Sequence, residues 1–512
     1  MYRHNAISKL IIIFLTAIMM IQLFPITTFA IESTDRGKIT VEGVENGTTV
    51  HAYQMMTVNY DYGKDVQQPK NPMYQWADGV ASWVKANYPD YINVNNKNEV
   101  KEAFSKATDS KVAEFYDKLA VAVKAGNVSL VETKVTATGE QVEISGLAMG
   151  NYFILIEGGA KVYRPLTANV VPEWNGSSWI MSTPVVSAKS SLPSITKRID
   201  GNLEKDNVNI GDTVHYEILV TVPTYPENAT AKRFVISDTL SDGLTLTSGT
   251  VKVYGVNEGA SPVLLNSGYT TSTNRPDGVS GEKAVTFALD FDYSAIQSYS
   301  TVKVTYDAVL NEKAVIGNDG NLNHAILDYS NNPYDSSSWN MDEDNNTIYT
   351  YAINLEKVDE DTDEPLSGAV FTLERDGKLI SFAGTKGNYH VAKAGETAVT
   401  KVEVDSKGVL RLEGLDAATY TLTEVKAPDG YVKLQNPIEL TITDEDLDGK
   451  IESNGTELEN GVLPVTVKND KGFILPVTGG MGTAIFHILG TILMCSAILL
   501  ATVFLIKKKT SK

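Results

Sequence analysis

Cysteine is nearly absent from this chain. The single cysteine among 512 residues, Cys495, lies in an apolar run close to the C-terminus. This excludes a disulfide framework, which is a common way of stabilising proteins outside the cell. If the chain works outside a cell, something other than disulfides must stabilise it.

The sequence also lacks the positive charge and the motifs of several functional classes. Lys and Arg number 44 against 63 Asp and Glu, a formal net charge of −19, which argues against nucleic acid as a ligand. The six histidines are scattered, and neither a G-x-S-x-G nor an H-E-x-x-H pattern occurs. A secreted enzyme therefore has little support, and we expect no cofactor and no metal.

The N-terminus has the features of an export signal. Arg3 and Lys9 precede an apolar stretch over residues 10–24, and small residues follow up to Ala30. A charged start, a short apolar run and small residues at its end are typical of a secretory signal peptide. We predict cleavage after Ala30.

The C-terminus contains an apolar run over residues 484–506. A helix of about 23 residues is long enough to cross the roughly 30 Å of a bilayer's hydrocarbon core. Three lysines, Lys507, Lys508 and Lys509, follow the run, and positive charge favours the cytoplasmic side. The pentapeptide just before the run is LPVTG, formed by Leu475, Pro476, Val477, Thr478 and Gly479.

A signal peptide, an LPxTG motif, an apolar span and a short basic tail follow one another in this chain. This order resembles the Gram-positive surface proteins that sortases anchor to the cell wall. The resemblance implies cleavage between Thr478 and Gly479, attachment to peptidoglycan, and only transient membrane retention through residues 484–506. A near copy of the motif, LPVTV over residues 463–467, precedes charged residues that cannot enter a membrane. We predict that this copy is a strand and is not used for sorting.

The remaining sequence predicts a mainly β protein. In residues 213–222, TVHYEILVTV, apolar side chains occupy every second position, and similar runs recur from 194 to 470. Short runs separated by Gly, Asn, Asp and Pro are typical of antiparallel sandwiches. Helical spacing over 110–125, and a second candidate over 73–86, predict helical insertions in the first domain.

We expect five segments along the chain, with a small-residue linker at 187–193 and a boundary near 350. The expected segments are a signal peptide (1–30), an N-terminal domain (31–190), a second β domain (191–350), a third β domain (351–470) and a sorting region (471–512).

Six polar residues share a strand face with apolar neighbours and are predicted to point inward. Two lysines, two acids and two asparagines are involved: Lys197, Lys357, Asp238, Glu424, Asn323 and Asn469. A strand end often carries one polar residue, but two complete sets are harder to dismiss, because a buried unpaired charge is costly. Burial favours a neutral amine, which is a nucleophile, and a protonated acid, which can polarise a carboxamide. We therefore predict Lys–Asn isopeptide bonds formed with loss of ammonia.

A second resemblance agrees with these sets. YTLTEVKAPDGY, residues 420–431, is similar to the E-box of Gram-positive pilins, and the stretch from Lys357 resembles the opening strands of CNA-B-type, SpaA-like domains. Residues 194–340 resemble the fimbrial isopeptide-forming domain. The resemblance implies tandem Ig-like, CNA-B-type β-sandwiches. It also implies the bond pairs Lys197–Asn323 with Asp238, and Lys357–Asn469 with Glu424.

Backbone pilins of this family also carry a lysine that receives the cleaved threonine of a neighbour. Its motif, W-x3-V-x-V-Y-P-K-N, matches the stretch from Trp179 to Ser190 and aligns its lysine with Lys189. The match departs from the motif at Ser187-Ala188 and at Ser190, and its spacing is one residue longer. Lys189 remains the best candidate, and the alternative is an ordinary solvated lysine.

The resemblance implies several partners. They are pilus-type and housekeeping sortases, other pilin subunits and peptidoglycan, with host surface receptors as further candidates. The function that it implies is a covalently polymerised major pilin, a structural protein and not an enzyme. The alternative is a wall-anchored adhesin or minor pilin that is presented as a single subunit.

One acidic stretch is partly similar to a calcium-binding loop. Asp444, Asp446, Asp448 and Gly449 fit the first half of an EF-hand, but the twelfth position is Gly455 where the loop requires Glu. The flanking residues have strand character. A solvated hairpin turn is therefore favoured over calcium binding.

Overall fold

The computed structural model describes residues 34–60, 69–175, 179–453, 456–458, 460–471 and 482–509. The predicted signal cleavage at Ala30 and the LPVTG motif at 475–479 lie outside these residues. The chain divides into two compact units. Unit 1 contains the described residues up to Asp206 together with Thr213–Lys313 and Asn321–Ile348, and unit 2 contains Asn207–Asp212, Ala314–Gly320 and the described residues from Tyr349 onward.

The first part of unit 1 is built on two main sheets. One has the strand order β13-β1-β7, and the other has the order β10-β8-β2-β3-β5-β4 with β6 paired to β2. The strands are β1 (Gly37–Glu42), β2 (Thr49–Tyr60), β3 (Pro69–Trp76), β4 (Ile92–Asn93), β5 (Glu99–Val100), β6 (Val131–Thr136), β7 (Gln141–Leu147), β8 (Gly150–Glu157), β9 (Val162–Tyr163), β10 (Leu166–Val170), β11 (Pro172–Trp174), β12 (Trp179–Met181), β13 (Val185–Ser187) and β14 (Ser190–Ser191).

Helices are inserted in this part, as predicted. They are α1 (Asp78–Asn87), α2 (Glu102–Ser105) and α3 (Asp109–Lys124), with a 3₁₀ turn at Pro89–Tyr91. The helix predicted over 110–125 is confirmed as α3, which buries Phe115, Leu119 and Ala122. The helix predicted over 73–86 is wrong at its start, because Met73–Trp76 belong to β3. Trp76 pairs with Met56 of β2, so the helix begins only at Asp78.

The second part of unit 1 has two six-stranded sheets. Their orders are β15-β17-β24-β20-β21, with β19 paired to β24, and β16-β26-β25-β18-β23-β22. The elements are β15 (Ile195–Ile199), β16 (Lys205–Asn207), β17 (Thr213–Thr221), β18 (Phe234–Leu240), β19 (Leu244–Leu246), β20 (Lys252–Val256), β21 (Val263–Leu265), β22 (Tyr269–Asn274), β23 (Ala284–Phe291), α4 (Tyr293–Ile296), β24 (Thr301–Leu310), β25 (Asn321–Tyr329) and β26 (Asn340–Tyr349).

Unit 2 has two five-stranded sheets and a small hairpin, β36-β37. The orders are β30-β31-β33-β27-β38 and β29-β28-β34-β35, with β32 paired to β28. The strands are β27 (Tyr351–Asp359), β28 (Val370–Arg375), β29 (Lys378–Leu379), β30 (Phe382–Thr385), β31 (Asn388–Val391), β32 (Val402–Glu403), β33 (Val409–Leu415), β34 (Thr419–Lys426), β35 (Ile438–Thr441), β36 (Ile451–Ser453), β37 (Thr456–Leu458) and β38 (Val462–Asn469). The core includes Ile353, Phe371, Leu412, Tyr420 and Val467.

The C-terminal helix is α5 (Gly482–Lys509). Its segment Phe486–Lys507 has a mean hydropathy of 2.5 and is long and apolar enough to cross a membrane. The predicted membrane-spanning run therefore forms a helix of suitable length. The mainly β fold and the predicted strand at the LPVTV copy, now β38, are also confirmed.

Candidate functional sites: two buried lysine clusters

All six polar residues that alternation placed inward are buried. Their side chains belong to Lys197, Asp238, Asn323, Lys357, Glu424 and Asn469, and each residue is at most 2 % exposed. Within the described residues, the buried lysines are Lys197 and Lys357. Lysine is almost never fully buried without a specific reason. The two positions therefore mark the places where this fold departs from ordinary packing.

The unit 1 site lies between two sheets. Lys197 is at the centre of β15, the edge strand of one sheet, where its neighbours Ile195 and Ile199 are also buried. Asp238 on β18 and Asn323 on β25 belong to the other sheet, and these two strands are antiparallel neighbours. Asp238 is opposite Ala325, so Asn323 is its diagonal neighbour on the same face. A bond from Lys197 to Asn323 would connect the two sheets.

The side chains of this site contact one another directly. The Lys197 Nζ donates a hydrogen bond to Asp238 Oδ2 and another to the Tyr306 hydroxyl at 2.5 Å. The Asn323 Nδ2 donates to the same hydroxyl at 2.9 Å. The Nζ also lies 5.1 Å from the ring centroids of both Tyr216 and Tyr306. The amine, the acid and the amide thus converge on one buried point.

Burial controls the charge of this cluster. Loss of solvent lowers the pKa of Lys197 below its usual range, although the neighbouring Asp238 opposes the shift. Burial likewise raises the pKa of Asp238 above its usual range, against the opposing effect of the lysine. Both shifts favour a neutral amine beside a protonated acid, because that pair leaves no charge in the interior.

The unit 2 site has a different arrangement of strands. Lys357 on β27 and Asn469 on β38 lie on parallel neighbours within one sheet, with Lys357 opposite Val467. Glu424 is on β34 of the other sheet and faces the same core. A bond from Lys357 to Asn469 would therefore connect two adjacent strands, and the acid approaches from across the sandwich.

In unit 2 the acid contacts the amide. Asn469 Nδ2 donates to Glu424 Oε2 at 3.0 Å and to the Val432 carbonyl at 2.7 Å. Lys357 Nζ donates to the Val467 carbonyl at 3.1 Å. Burial lowers the pKa of Lys357 to about 8, against the opposing charge of Glu424. A minor but substantial fraction of this amine is therefore neutral near physiological pH.

Both sites contain buried polar atoms without a hydrogen-bond partner in the structure. They are Oδ1 of Asp238, Asn323 and Asn469, and Oε1 of Glu424. Unpaired buried acceptors are rare and need an explanation. In each site they belong to the acid and to the carboxamide that a neutral lysine could attack. This arrangement is suited to nucleophilic substitution at the asparagine side chain.

Sequence reasoning missed Tyr306. This residue is on β24, whose alternating burial places it on the inward face between Val304 and Ala308. It lies directly opposite Tyr216 of β17, and the two rings stack at 5.3 Å. The inward face of Tyr306 was readable from the alternation, but its contact with Lys197 and Asn323 depends on strand pairing.

Lys189 is exposed and lies between β13 and β14. Its surroundings differ from the expected free linker, because β13 pairs with β1 and β14 pairs with β9. The Lys189 carbonyl also accepts a hydrogen bond from the Arg164 N–H at 3.0 Å. The backbone of this lysine is thus held in place while its side chain faces solvent.

The acidic stretch forms a loop before β36. Carboxylate oxygens of Asp444, Asp446 and Asp448 lie within 4.8 Å of one another. Asp444 is buried and accepts hydrogen bonds from the Tyr351 hydroxyl at 2.6 Å and the Gly449 N–H at 2.8 Å. These bonds hold the turn together, and Gly455 lies outside the described residues.

Two family models match this chain. A Gram-positive pilin backbone subunit 2, Cna-B-like domain matches residues 210–333. A SpaA prealbumin-like fold domain matches residues 351–470. The first match includes Asp238 and Asn323 of the unit 1 site, and the second includes all three residues of the unit 2 site.

A curated relative and a solved structure extend the similarity along the chain. The trypsin-resistant surface T6 protein of Streptococcus pyogenes serotype M6 is 28% identical over 429 residues, covering 70% of this chain and 78% of that protein. The structure of the T6 backbone pilin of that serotype aligns with a TM-score of 0.61 at 20% identity, covering 86% of this chain and 99% of that one. The second comparison shows a shared fold. By these matches, the chain carries a domain of the Gram-positive pilin backbone type, followed by a SpaA-type domain.

Proposed function

We propose that sortases polymerise this pilin through Thr478 and Lys189. A pilus-type sortase would cleave the Thr478–Gly479 bond, and the Thr478 carboxyl would form an amide with Lys189 Nζ of the next subunit. The exposed lysine on a fixed backbone supports this role, as does the helix that follows the LPVTG motif. A housekeeping sortase would attach the last subunit to peptidoglycan, so the mature protein would be an exported cell-wall protein.

Within each subunit, Lys197 would bond to Asn323 and Lys357 to Asn469. These bonds are proposed because each buried lysine shares its site with one acid and one asparagine, and all of these residues are at most 2 % exposed. In each reaction the Nζ–Cγ bond forms, the Cγ–Nδ2 bond breaks and ammonia leaves. Asp238, whose raised pKa favours the protonated form, and Glu424, which contacts the Asn469 amide, would promote the reaction. Each site would react once per chain, so the chemistry is self-modification and not turnover.

The chain would be organised as three pilin domains, over 31–190, 191–350 and 351–470. The first would have no internal bond of this type. Its described residues include buried carboxylates, such as Glu99 and Asp117, but no buried lysine. Asp117 accepts a hydrogen bond from the Tyr334 hydroxyl at 2.7 Å, which links α3 to the second part of unit 1.

The alternative is an adhesin or minor pilin that is attached to the wall as a single subunit. It would use the same LPVTG motif and the same internal bonds, and it would bind a host surface receptor. Lys189 distinguishes the two functions, because a backbone subunit needs an acceptor lysine and a terminal subunit does not.

The test is the size of the protein released from cell walls. The native chain should give a ladder of high-mass species on immunoblots, and Lys189→Ala should leave only a wall-attached monomer. Lys134→Ala, which removes another exposed lysine of the same region, is the matched control and should keep the ladder. A ladder that persists in the Lys189 variant would move the acceptor to another lysine, and a native monomer would favour the single-subunit alternative.

A further inference from the structure

Tyr306 is the group that contacts both nitrogen atoms of the unit 1 site. Its hydroxyl oxygen lies 2.5 Å from Lys197 Nζ and 2.9 Å from Asn323 Nδ2. The first nitrogen is the nucleophile of the proposed reaction, and the second is its leaving group. Asp238 contacts the lysine, and its other carboxylate oxygen has no hydrogen-bond partner in the structure.

The position of this hydroxyl is fixed by the sandwich. Tyr306 is 1 % exposed and is on the central strand β24, which pairs with β17, β19 and β20. Its ring stacks on Tyr216 and meets the edge of Phe287 at 5.1 Å between centroids. Packing on two sides leaves the ring little freedom, so the hydroxyl is held between the reacting groups before the reaction begins.

We propose that Tyr306 is a catalytic residue for the Lys197–Asn323 bond and relays a proton from the attacking amine to the departing ammonia. This inference rests on the proposed self-linking function. As the Nζ–Cγ bond forms, the phenol oxygen accepts a proton from Nζ. The phenol's own proton passes to Nδ2, the Cγ–Nδ2 bond breaks, and ammonia leaves with the phenol restored. The step balances without any further reactant.

The chemistry requires such a relay because a neutral amine must lose one proton while the amide nitrogen gains one. A single hydroxyl within hydrogen-bond distance of both nitrogens can do both. Burial also keeps the Tyr306 phenol neutral by raising its pKa well above the usual value. In unit 2 the leaving nitrogen contacts the Val432 carbonyl at 2.7 Å and Glu424 at 3.0 Å, and of these two groups only the carboxyl can supply a proton.

The test measures how fast each bond forms in the full chain. The protein is made in a host without sortases, labelled by a short pulse of isotopic amino acids, and denatured at intervals. Mass spectrometry of proteolytic peptides then gives the linked fraction at each site. Tyr306→Phe should lengthen the half-time of the Lys197–Asn323 bond about 100-fold, while the Lys357–Asn469 bond forms at the native rate.

Tyr216→Phe is the matched control. Its ring stacks on Tyr306 and its hydroxyl is buried, but that hydroxyl makes no hydrogen bond to the attacking nitrogen of Lys197. The half-time of Lys197–Asn323 bond formation in this variant should therefore stay within about twofold of the native value. The loss of an acid–base residue has a much larger effect. The proposal is overturned if Tyr306→Phe links at the native rate, or if both variants slow the bond equally. If the native chain forms no bond at Lys197, the self-linking function fails instead.

A second substitution covers the case in which Tyr306→Phe does not fold. 3,5-Difluorotyrosine, introduced at position 306 alone, keeps the shape of the ring and the hydroxyl but makes the phenol more acidic. A hydroxyl that transfers a proton should then give a changed rate of bond formation, whereas the same replacement at 216 should not. An unchanged rate at 306 would assign the hydroxyl a packing role only.

Discussion

The two buried lysine sites contain the same three groups, yet they divide them differently between sheets. In unit 1 the acid and the asparagine share a sheet and the lysine is across the sandwich. In unit 2 the lysine and the asparagine share a sheet and the acid is across. The acid contacts the lysine in unit 1 and the amide in unit 2.

This difference indicates which features the proposed chemistry would depend on. If both sites react as proposed, the acid need not occupy one fixed position relative to the amine. What both sites share is a lysine with a lowered pKa beside an asparagine whose carbonyl oxygen has no hydrogen-bond partner. In the proposed reaction, the proton would reach the leaving nitrogen through Tyr306 in unit 1 and through Glu424 in unit 2.

The largest expected effect is the loss of one bond without the other. Asp238→Ala and Glu424→Ala should each abolish the bond of their own site, because the acid is lost from an otherwise complete cluster. Peptide masses of the full chain, made without sortases, should show two ammonia losses in the native protein and one in each variant.

Asp238→Asn and Glu424→Gln are the controls for packing. They keep the shape of the side chain and remove only the acid, so they should behave like the alanine variants. Native linking in these two variants would mean that the acids have no chemical role. A native mass without any ammonia loss would contradict the bonds altogether.

A second comparison concerns the two LPVT copies. The first copy lies in β38, the strand that ends at Asn469. Thr478→Ala should abolish wall attachment and leave the protein in the membrane or the medium. Thr466→Ala should leave sorting unchanged, because Thr466 is an exposed residue of β38, paired opposite Glu356. Cell fractionation and immunoblotting measure both. Loss of wall attachment in a folded Thr466 variant would show that the copies had been assigned the wrong way round.

A third effect is on stability. Asn323→Ala and Asn469→Ala each remove a bond that would close a loop, of about 125 residues in unit 1 and about 110 residues in unit 2. Each substitution should therefore lower the free energy of unfolding of its unit by about 4–5 kcal/mol. Guanidinium unfolding of the chain without its terminal segments would measure this. The two losses should be similar despite the different strand arrangements, because loop entropy depends on length and not on which sheet is crossed. Losses below about 1 kcal/mol would contradict the covalent ties.

The smallest effect is a pH dependence in unit 2. In Asn469→Ala the amine of Lys357 stays free, with its pKa lowered to about 8 in the folded state from an ordinary value of 10.5. Between these values the unfolded chain binds a proton that the folded chain has released, so stability should rise with pH across this window. We expect a gain of about 1–3 kcal/mol.

The control for this pH effect is Lys357→Met combined with Asn469→Ala. It removes the titrating amine and also lacks the bond, so its denaturation midpoint should not show the rise with pH that Lys357 causes. Equal pH slopes in the two variants would show that Lys357 is not held at a lowered pKa.

The inward faces of the six polar residues could be predicted because strand alternation is a local property. Lys357 shares a face with Ile353 and Leu355 in any sheet that buries those two side chains. Helix α3 was also predictable, since its apolar spacing is contained in one segment. The roles of these residues in bond formation, and of Lys189 and Thr478 in polymerisation, were assigned from side-chain reactivity and from the family resemblance. They stay predictions until the bonds are measured.

Strand pairing decided the features that the sequence alone could not supply. Tyr306 meets Asn323 only because β24 and β25 are brought face to face from different sheets. Residues 74–76 form part of a strand because they pair with β2, and this pairing overrides their helical spacing. The segment around Lys189 is likewise fixed by pairing with β1 and β9, which are distant in sequence.

The parallel pairing of β27 with β38 has a mechanical consequence. In a fibre joined from Thr478 to Lys189, tension would enter unit 2 along β27 and leave it after β38. A bond from Lys357 to Asn469 would pass the load from the first of these strands to the end of the last. The roughly 110 residues between them, which could otherwise extend by about 370 Å, would carry no tension. Such a fibre would resist pulling without lengthening, because the folded core lies outside the path of the force.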